Sequence, residues 1–312
     1  MTAFTGTGSK SAAERLREPL TRKELLVCPG VYDGLTARIA LREGFDCLCM
    51  TGAGTAASRL GMPDLGVLSL NDMVANAGMI ASLDRKVPLI ADADTGFGGP
   101  IMVARTIRAY ITAGVAGLHI EDQVVNNRCG HLGGKEMVDD ETYFSRIRAA
   151  VLAREEMRQT AGGDIVIIAR TDALQSLGYD VAVSRLRKCI ELGADVAFLE
   201  GPQTTEQCQN VCKDLAPHPV LLNMVPGGTT PLMGKERAQG MGFKICIWPV
   251  LGLSAAYAAV TNAYQELMAD GEVKPTLHEE KEGVKSFFGV CGLDECTEFD
   301  KKAGGVAYSK GI

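Results

Sequence analysis

Short apolar runs recur along the chain at intervals that leave room for one helix between each pair. They lie at 25–28, 47–50, 88–91, 117–120, 165–169, 196–199, 220–222 and 245–248. Runs this short, without internal polar alternation, suit strands buried on both faces. Between them the period changes to that of a helix. Residues 71–83 carry Met73, Val74, Ala77, Ile80 and Ala81 on one face, 100–113 carry Val103, Ile107 and Ile111, and 180–192 carry Val183, Leu186 and Ile190. Pro100 suits a first helical turn, while Gly114 and Gly193 suit stops. Further helices are predicted over 253–268, as the last helix of the barrel, and over 281–288. Strict strand–helix alternation predicts parallel strands with right-handed crossovers, and eight units close a (β/α)8 TIM-type barrel. A doubly wound open sheet is the alternative. Residues 1–9 read as a disordered tail and 10–312 as one catalytic domain.

Composition narrows the function. Of 312 residues, 46% are hydrophobic and 22% charged, which supplies a core and excludes a fibrous or disordered chain. A net charge of −6 and a pI near 5.4 argue against nucleic acid as partner, since phosphate backbones need clustered Lys and Arg. The sequence shows neither a membrane-length apolar stretch nor a secretory leader, so a cytoplasmic protein is expected. Ten cysteines form no CxxC pair and no zinc-spaced array. Cys28, Cys47, Cys49 and Cys246 fall in predicted strands and read as small hydrophobes, whereas Cys129 lies in a polar, glycine-containing segment.

Barrel chemistry gathers where strands end, and here those positions are polar. Asp92 and Asp94 follow the third run, Glu121 and Asp122 the fourth, Arg170, Thr171 and Asp172 the fifth, Glu200 the sixth, Asn223 the seventh and Pro249 the eighth. Asp92, Asp94 and Glu121 come from adjacent strands, which brings three carboxylates around one point. Repulsion among them calls for a cation, and hard oxygen ligands suit Mg2+ or Mn2+. The alternative is that they cap helices or pair with Arg170. TGAGTAASRLGMPDLG lacks the third glycine of a dinucleotide loop and the Gly-Lys of a P-loop, so its amides suit a carboxylate better than a nucleotide. Asp64 in that segment would be a fourth acid. Cys129, flanked by Arg128 and His131, is expected to titrate near neutrality; the alternative is an inert loop thiol.

These segments together resemble the isocitrate lyase/phosphoenolpyruvate mutase superfamily. PGVYDGLTARIA, TGAGTAASRLGMPDLG, ADADTGFGGP, GLHIEDQ, RCGHLGGK, IIARTDAL, LEGP and LLNMV carry the resemblance, in order, over nearly the whole chain. It is most similar to the branch holding 2,3-dimethylmalate lyase and oxaloacetate acetylhydrolase. The resemblance implies a helix-swapped barrel, a homotetramer and Mg2+. Asp92 would be the principal metal ligand, with Asp94, Asp64 and Glu121 acting directly or through water. Thr51, Gly52, Ala53 and Arg170 would hold a 2-oxo acid carboxylate. Glu200, Asn223, Gly130 and His131 would line the other end of the pocket, and Cys129, on a gating loop over 124–135, would protonate a departing carbanion.

The chain departs from the family pattern at several positions. Cys49 stands where a tyrosine is expected as base, which leaves a metal-bound hydroxide or Cys49 itself for that role. Asn127 replaces a lysine and so removes a cation from beside Cys129. Trp248 replaces a phenylalanine. Pro249 stands where the acetylhydrolases carry serine, and proline cannot donate to a hydrated oxaloacetate. The expected activity is therefore carbon–carbon lysis of a small 2-hydroxy dicarboxylate, 2,3-dimethylmalate or another alkylmalate. Its rivals are oxaloacetate hydrolysis, phosphorus–carbon chemistry on phosphonopyruvate and a non-catalytic metabolite-binding barrel.

Overall fold

Each of the eight apolar runs becomes one strand of a closed barrel. The computed structural model describes residues 10–275 and 283–308. Its strands are β1 Leu26–Val31, β2 Leu48–Met50, β3 Leu89–Asp92, β4 Gly117–Ile120, β5 Val166–Thr171, β6 Val196–Leu199, β7 Val220–Asn223 and β8 Ile245–Trp248. All neighbours are parallel, and β8 closes on β1 with Leu26 opposite Ile245 and Pro29 opposite Trp248. The open-sheet alternative is excluded by that closure. The 1–9 tail and the start of the 281–288 helix lie outside the described residues.

Helices fill the connections: α1 Ala12–Leu20, α2 Gly34–Arg42, α3 Gly52–Leu60, α4 Leu70–Leu83, α5 Pro100–Ala113, α6 Asp140–Ala161, α7 Leu174–Leu177, α8 Tyr179–Glu191, α9 Thr205–Asp214 and α10 Lys235–Met241. After β8 come α11 Leu251–Asp270, α12 Lys285–Val290 and α13 Leu293–Lys302. Local chemistry sets many of these ends. Pro100 opens α5 and Gly114 closes it at φ 86°, while Asp33, Ser69 and Thr204 cap α2, α4 and α9 through reciprocal capping boxes.

Two apolar clusters follow from the two-residue period of a strand. Leu26, Cys28, Cys47, Cys49, Ile90, Val166, Ile168, Val196, Phe198, Leu221, Ile245 and Ile247 fill the barrel, and Ala13 and Leu16 of α1 belong to the same cluster. Alternate residues, among them Leu48, Met50, Leu89, Ala91, Leu118, Ile167 and Leu222, pack outward with the helices. β1 runs past the predicted end at Cys28 through Pro29 and Gly30. Gly30 is required there, since a Cβ would lie 2.1 Å from the Pro249 carbonyl oxygen. β5 likewise extends into Arg170, which faces the barrel mouth, and Thr171, which donates to Asp122 at 2.5 Å.

The helix after β8 departs from expectation. α11 has no buried residue and exposes Tyr257, Val260, Tyr264, Leu267 and Met268. It meets β1, where a Cβ on Gly252 would lie 3.3 Å from the Gly30 carbonyl oxygen, but buries no residue of its own. A cavity of about 510 Å³ beside β1 and β8 is lined by Leu25, Val27, Phe45, Cys246 and Trp248 among others.

Candidate active site at the strand ends

Inward-facing positions turn polar at the top of the barrel. Two residues beyond each buried interior side chain come Asp92 after Ile90, Arg170 after Ile168, Glu200 after Phe198 and Asn223 after Leu221. These residues share a cavity of about 100 Å³ with Cys49, Thr51, Gly52, Ala53, Asp64, His119, Cys129, Gly130, His131 and Pro249. The volume is small beside drug-sized ligand sites. Of the predicted site residues, only Asp94 and Glu121 are not among those lining the cavity.

On one side stand the acids. Asp92 Oδ2 accepts from the Gly52 amide at 3.1 Å and its Oδ1 from the Asp94 amide at 3.0 Å. Gly52 is needed for that approach, as a Cβ would meet Asp92 Oδ2 at 2.7 Å. Asp94 takes the left-handed conformation at φ 45°, uncommon for a non-glycine residue. Burial and the charge of Asp92 push Asp64 up to about 6 and Asp94 well above the ordinary carboxylate range. Glu121 is raised chiefly by burial, against the pull of Arg170 3.2 Å away; it also accepts from Asn127 Nδ2 at 2.9 Å.

The acids do not form the cage that three converging carboxylates suggested. Among the described residues, no group of three or more His, Cys, Asp or Glu side chains has the arrangement of direct metal ligands. The charge still calls for a cation. Asp64, Asp92, Asp94, Glu121, Asp172 and Glu200 face two basic side chains, Arg170 and Lys135. Asn127 Oδ1 and His119 Nδ1, both buried beside these acids, have no hydrogen-bond partner. Residues of this kind fit a hydrated Mg2+, which keeps several waters and takes one or two carboxylates directly.

Arg170 organises the opposite side. Its Nε donates to Asp172 Oδ2 at 2.8 Å and its Nη2 to Asp172 Oδ1 at 3.1 Å, while Nη2 lies 3.5 Å from Glu200. The guanidinium sits over the Phe198 ring, 5.3 Å from its centre. Asn223 Nδ2 donates to Glu200 Oε2 at 3.0 Å, leaving the buried Asn223 Oδ1 without a partner. His131 Nδ1 accepts from the Thr229 amide at 3.3 Å, and its Nε2 lies 3.6 Å from Glu200 Oε1 and 3.4 Å from Asn223 Nδ2.

Cys129 reaches the same cavity from the loop between β4 and α6, where its amide donates to the Asp64 carbonyl at 3.2 Å. The expectation of a near-neutral thiol is overturned. Burial dominates and pushes Cys129 up to about 11, and the His131 amide and Arg170 offset this only in part. The Arg128 guanidinium points instead to the Gly133 carbonyl. Cys49 also fails as a base, because burial, then the charge of Asp92, holds its thiol protonated. Thr51 caps α3 through the Gly54 amide, and the Gly52 amide is committed to Asp92. The cation that Asn127 lacks is supplied nearby by Lys135, whose Nζ donates to Gly130 O at 2.7 Å.

Lys135, Asp172 and His119 received no role from the sequence, although the first two end the RCGHLGGK and ARTD motifs. A histidine inside the apolar run GLHI was the available signal for His119, which lies 3.4 Å from Asp92. Behind them Asp122 accepts from the Asp172 amide at 2.8 Å and from Arg185 at 2.8 Å.

Comparison with known proteins identifies the family. The family model described as phosphoenolpyruvate phosphomutase matches residues 16–268. A 2,3-dimethylmalate lyase from Eubacterium barkeri is 40% identical over 260 residues, covering 83% of this chain and 87% of the relative. A solved 2,3-dimethylmalate lyase is 52% identical with a TM-score of 0.92, covering 98% of this chain and 99% of that one. An oxaloacetate acetylhydrolase solved with 3,3-difluorooxalacetate is 51% identical with a TM-score of 0.92, covering 96% and 99%. Family match, barrel and strand-end residues together place the chain in the PEP mutase/isocitrate lyase superfamily, to which it belongs.

Proposed function

We propose that the protein is a Mg2+-dependent lyase that cleaves an alkyl-substituted malate, such as 2,3-dimethylmalate, into a 2-oxo acid and a simple carboxylic acid. The observation that carries this reading is the Cys129 thiol lining the same small cavity as Asp92 and Arg170. Lysis needs an acid for the carbanion, and a thiol held at about 11 keeps its proton until a stronger base appears.

Asp92 would hold the metal directly, with Asp64, Asp94 and Glu121 acting through water. When bound, Mg2+ supplies Lewis acidity that makes the substrate hydroxyl easier to deprotonate. Arg170 and the first turn of α3 at Ala53 anchor the carboxylate next to that hydroxyl. Asp64, which lines the cavity beside Asp92, would accept the hydroxyl proton. As the hydroxyl loses its proton, the carbon–carbon bond electrons move to the departing fragment, and Cys129 protonates it. Asn223 and His131, oriented by Glu200, face that fragment's carboxylate. Cys49, Ile247, Pro249 and Val250 form an apolar lining suited to alkyl groups. For 2,3-dimethylmalate the products are pyruvate and propanoate.

Oxaloacetate hydrolysis is the second reading, favoured by the similarity to an acetylhydrolase; Pro249 brings no hydroxyl to the cavity and opposes it. We further infer a homotetramer in which a helix of a second copy fills the cavity beside β1 and β8. The exposed apolar face of α11 supports this. Ten free thiols favour a reducing compartment such as the cytoplasm. Among the described residues, no helix is long and apolar enough to cross a membrane.

The test is Cys129→Ser assayed with Mg2+ and 2,3-dimethylmalate. Turnover is expected to fall by about two to four orders of magnitude, with oxalate binding little changed. Undiminished turnover would remove Cys129 from the reaction.

A further inference from the structure

The loop over 124–135 is closed at its base and charged at its end. Val124 donates to the Glu136 carbonyl at 2.9 Å, Gln123 pairs with Met137, and Val138 donates to the Asp122 carbonyl at 2.9 Å. Lys135 ends the loop with its side chain only 3% exposed. An ammonium group buried this far needs an anion, and Lys135 finds one outside the loop: Nζ donates to Asp172 Oδ1 at 2.9 Å. That oxygen is the one that also accepts from Arg170 Nη2 at 3.1 Å.

Asp172 is thus shared between two cations, one fixed at the end of β5 and one carried by the loop. While Lys135 is in place, the carboxylate charge is divided, and Arg170 keeps more of its own field for an incoming anion. Once the loop lifts, Asp172 pairs with Arg170 alone and that field is weakened. The second bond of Lys135, to Gly130 O at 2.7 Å, fixes the segment that lies directly on Arg170. A Cβ at Gly130 would come within 2.6 Å of Arg170 Nη2 and of Glu200 Cγ.

We propose that Lys135 is the latch of this lid, a positioning residue that couples lid closure to carboxylate capture at Arg170. The coupling is reciprocal: a carboxylate on Arg170 favours the latched lid, and the latched lid tightens the carboxylate. The proposal rests on the reading of Arg170 as carboxylate anchor, and its test does not depend on turnover.

Lys135→Met keeps most of the unbranched side chain, one atom shorter, and removes its charge, whereas Lys135→Arg keeps the charge. Oxalate with Mg2+ serves as the probe, read by calorimetry and by amide exchange over 124–135. In Lys135→Met, lid exchange without ligand is expected to speed up and oxalate affinity to fall, each about tenfold, with Lys135→Arg recovering most of both. Unchanged lid exchange in a folded Lys135→Met protein would overturn the proposal. So would weakened oxalate binding with no change in exchange, which marks a loss of bulk charge only. Absence of oxalate binding to the wild type would remove the Arg170 anchor, and the coupling with it. Amine labelling of the wild type needs no variant. Lys135 should react with acetic anhydride far more slowly than the exposed Lys23, and more slowly still with oxalate and Mg2+. Equal labelling of the two lysines would also overturn the latch.

Discussion

Asp92 and Cys129 line one cavity, and the proposed lysis asks different things of them: the first to hold a cation, the second to deliver a proton to the carbanion. If Asp92 holds the metal as proposed, Asp92→Ala should leave the circular dichroism spectrum near native and reduce turnover by at least about three orders of magnitude. Full activity in that variant, or in wild type with excess EDTA, would contradict it. Asp64 gives a pH signature. Its folded value of about 6 stands above the ordinary 3.8, so its contribution to stability is complete below 3.8 and lost as pH rises through about 6. The metal-free protein should therefore lose melting temperature between about pH 4 and pH 7 through this group. Scanning calorimetry should show that loss reduced by saturating Mg2+ and in Asp64→Asn; an identical pH dependence in the variant would refute the assignment. The acids at strand ends were legible in the sequence because strand parity and barrel topology place them. The state of Cys129 was not, because flanking charges are visible in sequence while burial is not.

At the scale of elements, Arg185 of α8 joins the two ends of the lid. It donates to Asp122 Oδ2 at 2.8 Å, to Asp140 at 2.8 Å and to the Val138 carbonyl at 3.0 Å. Arg185→Met leaves Asp122 buried without its cation and should cost about 3–5 kcal/mol in denaturant unfolding, while loosening the lid base. A change below about 1 kcal/mol would show that Asp122 is satisfied otherwise. Helix and strand positions were legible because each apolar run and each helical face has its own period. The ends of β1 and β5 were not, because Pro29-Gly30 and Arg170-Thr171 look like loop chemistry in isolation. Only barrel closure shows that Gly30 accommodates Pro249 and that Arg170 is held between Asp172 and Glu200.

For the whole molecule, α11 carries the apolar surface that the barrel does not cover. Tyr264→Glu on its exposed face should shift the mass seen by light scattering toward smaller assemblies without unfolding the barrel; an unchanged mass would place the interface elsewhere. Sequence periodicity found this helix but could not show that its apolar side chains stay exposed, since an apolar face reads alike whatever covers it. The central claim is the cleavage itself, and product analysis tests it most directly. Purified protein with Mg2+ and 2,3-dimethylmalate should release pyruvate and propanoate in equal amounts, with EDTA stopping both. Release of oxalate and acetate from oxaloacetate, with no pyruvate from any alkylmalate, would contradict it.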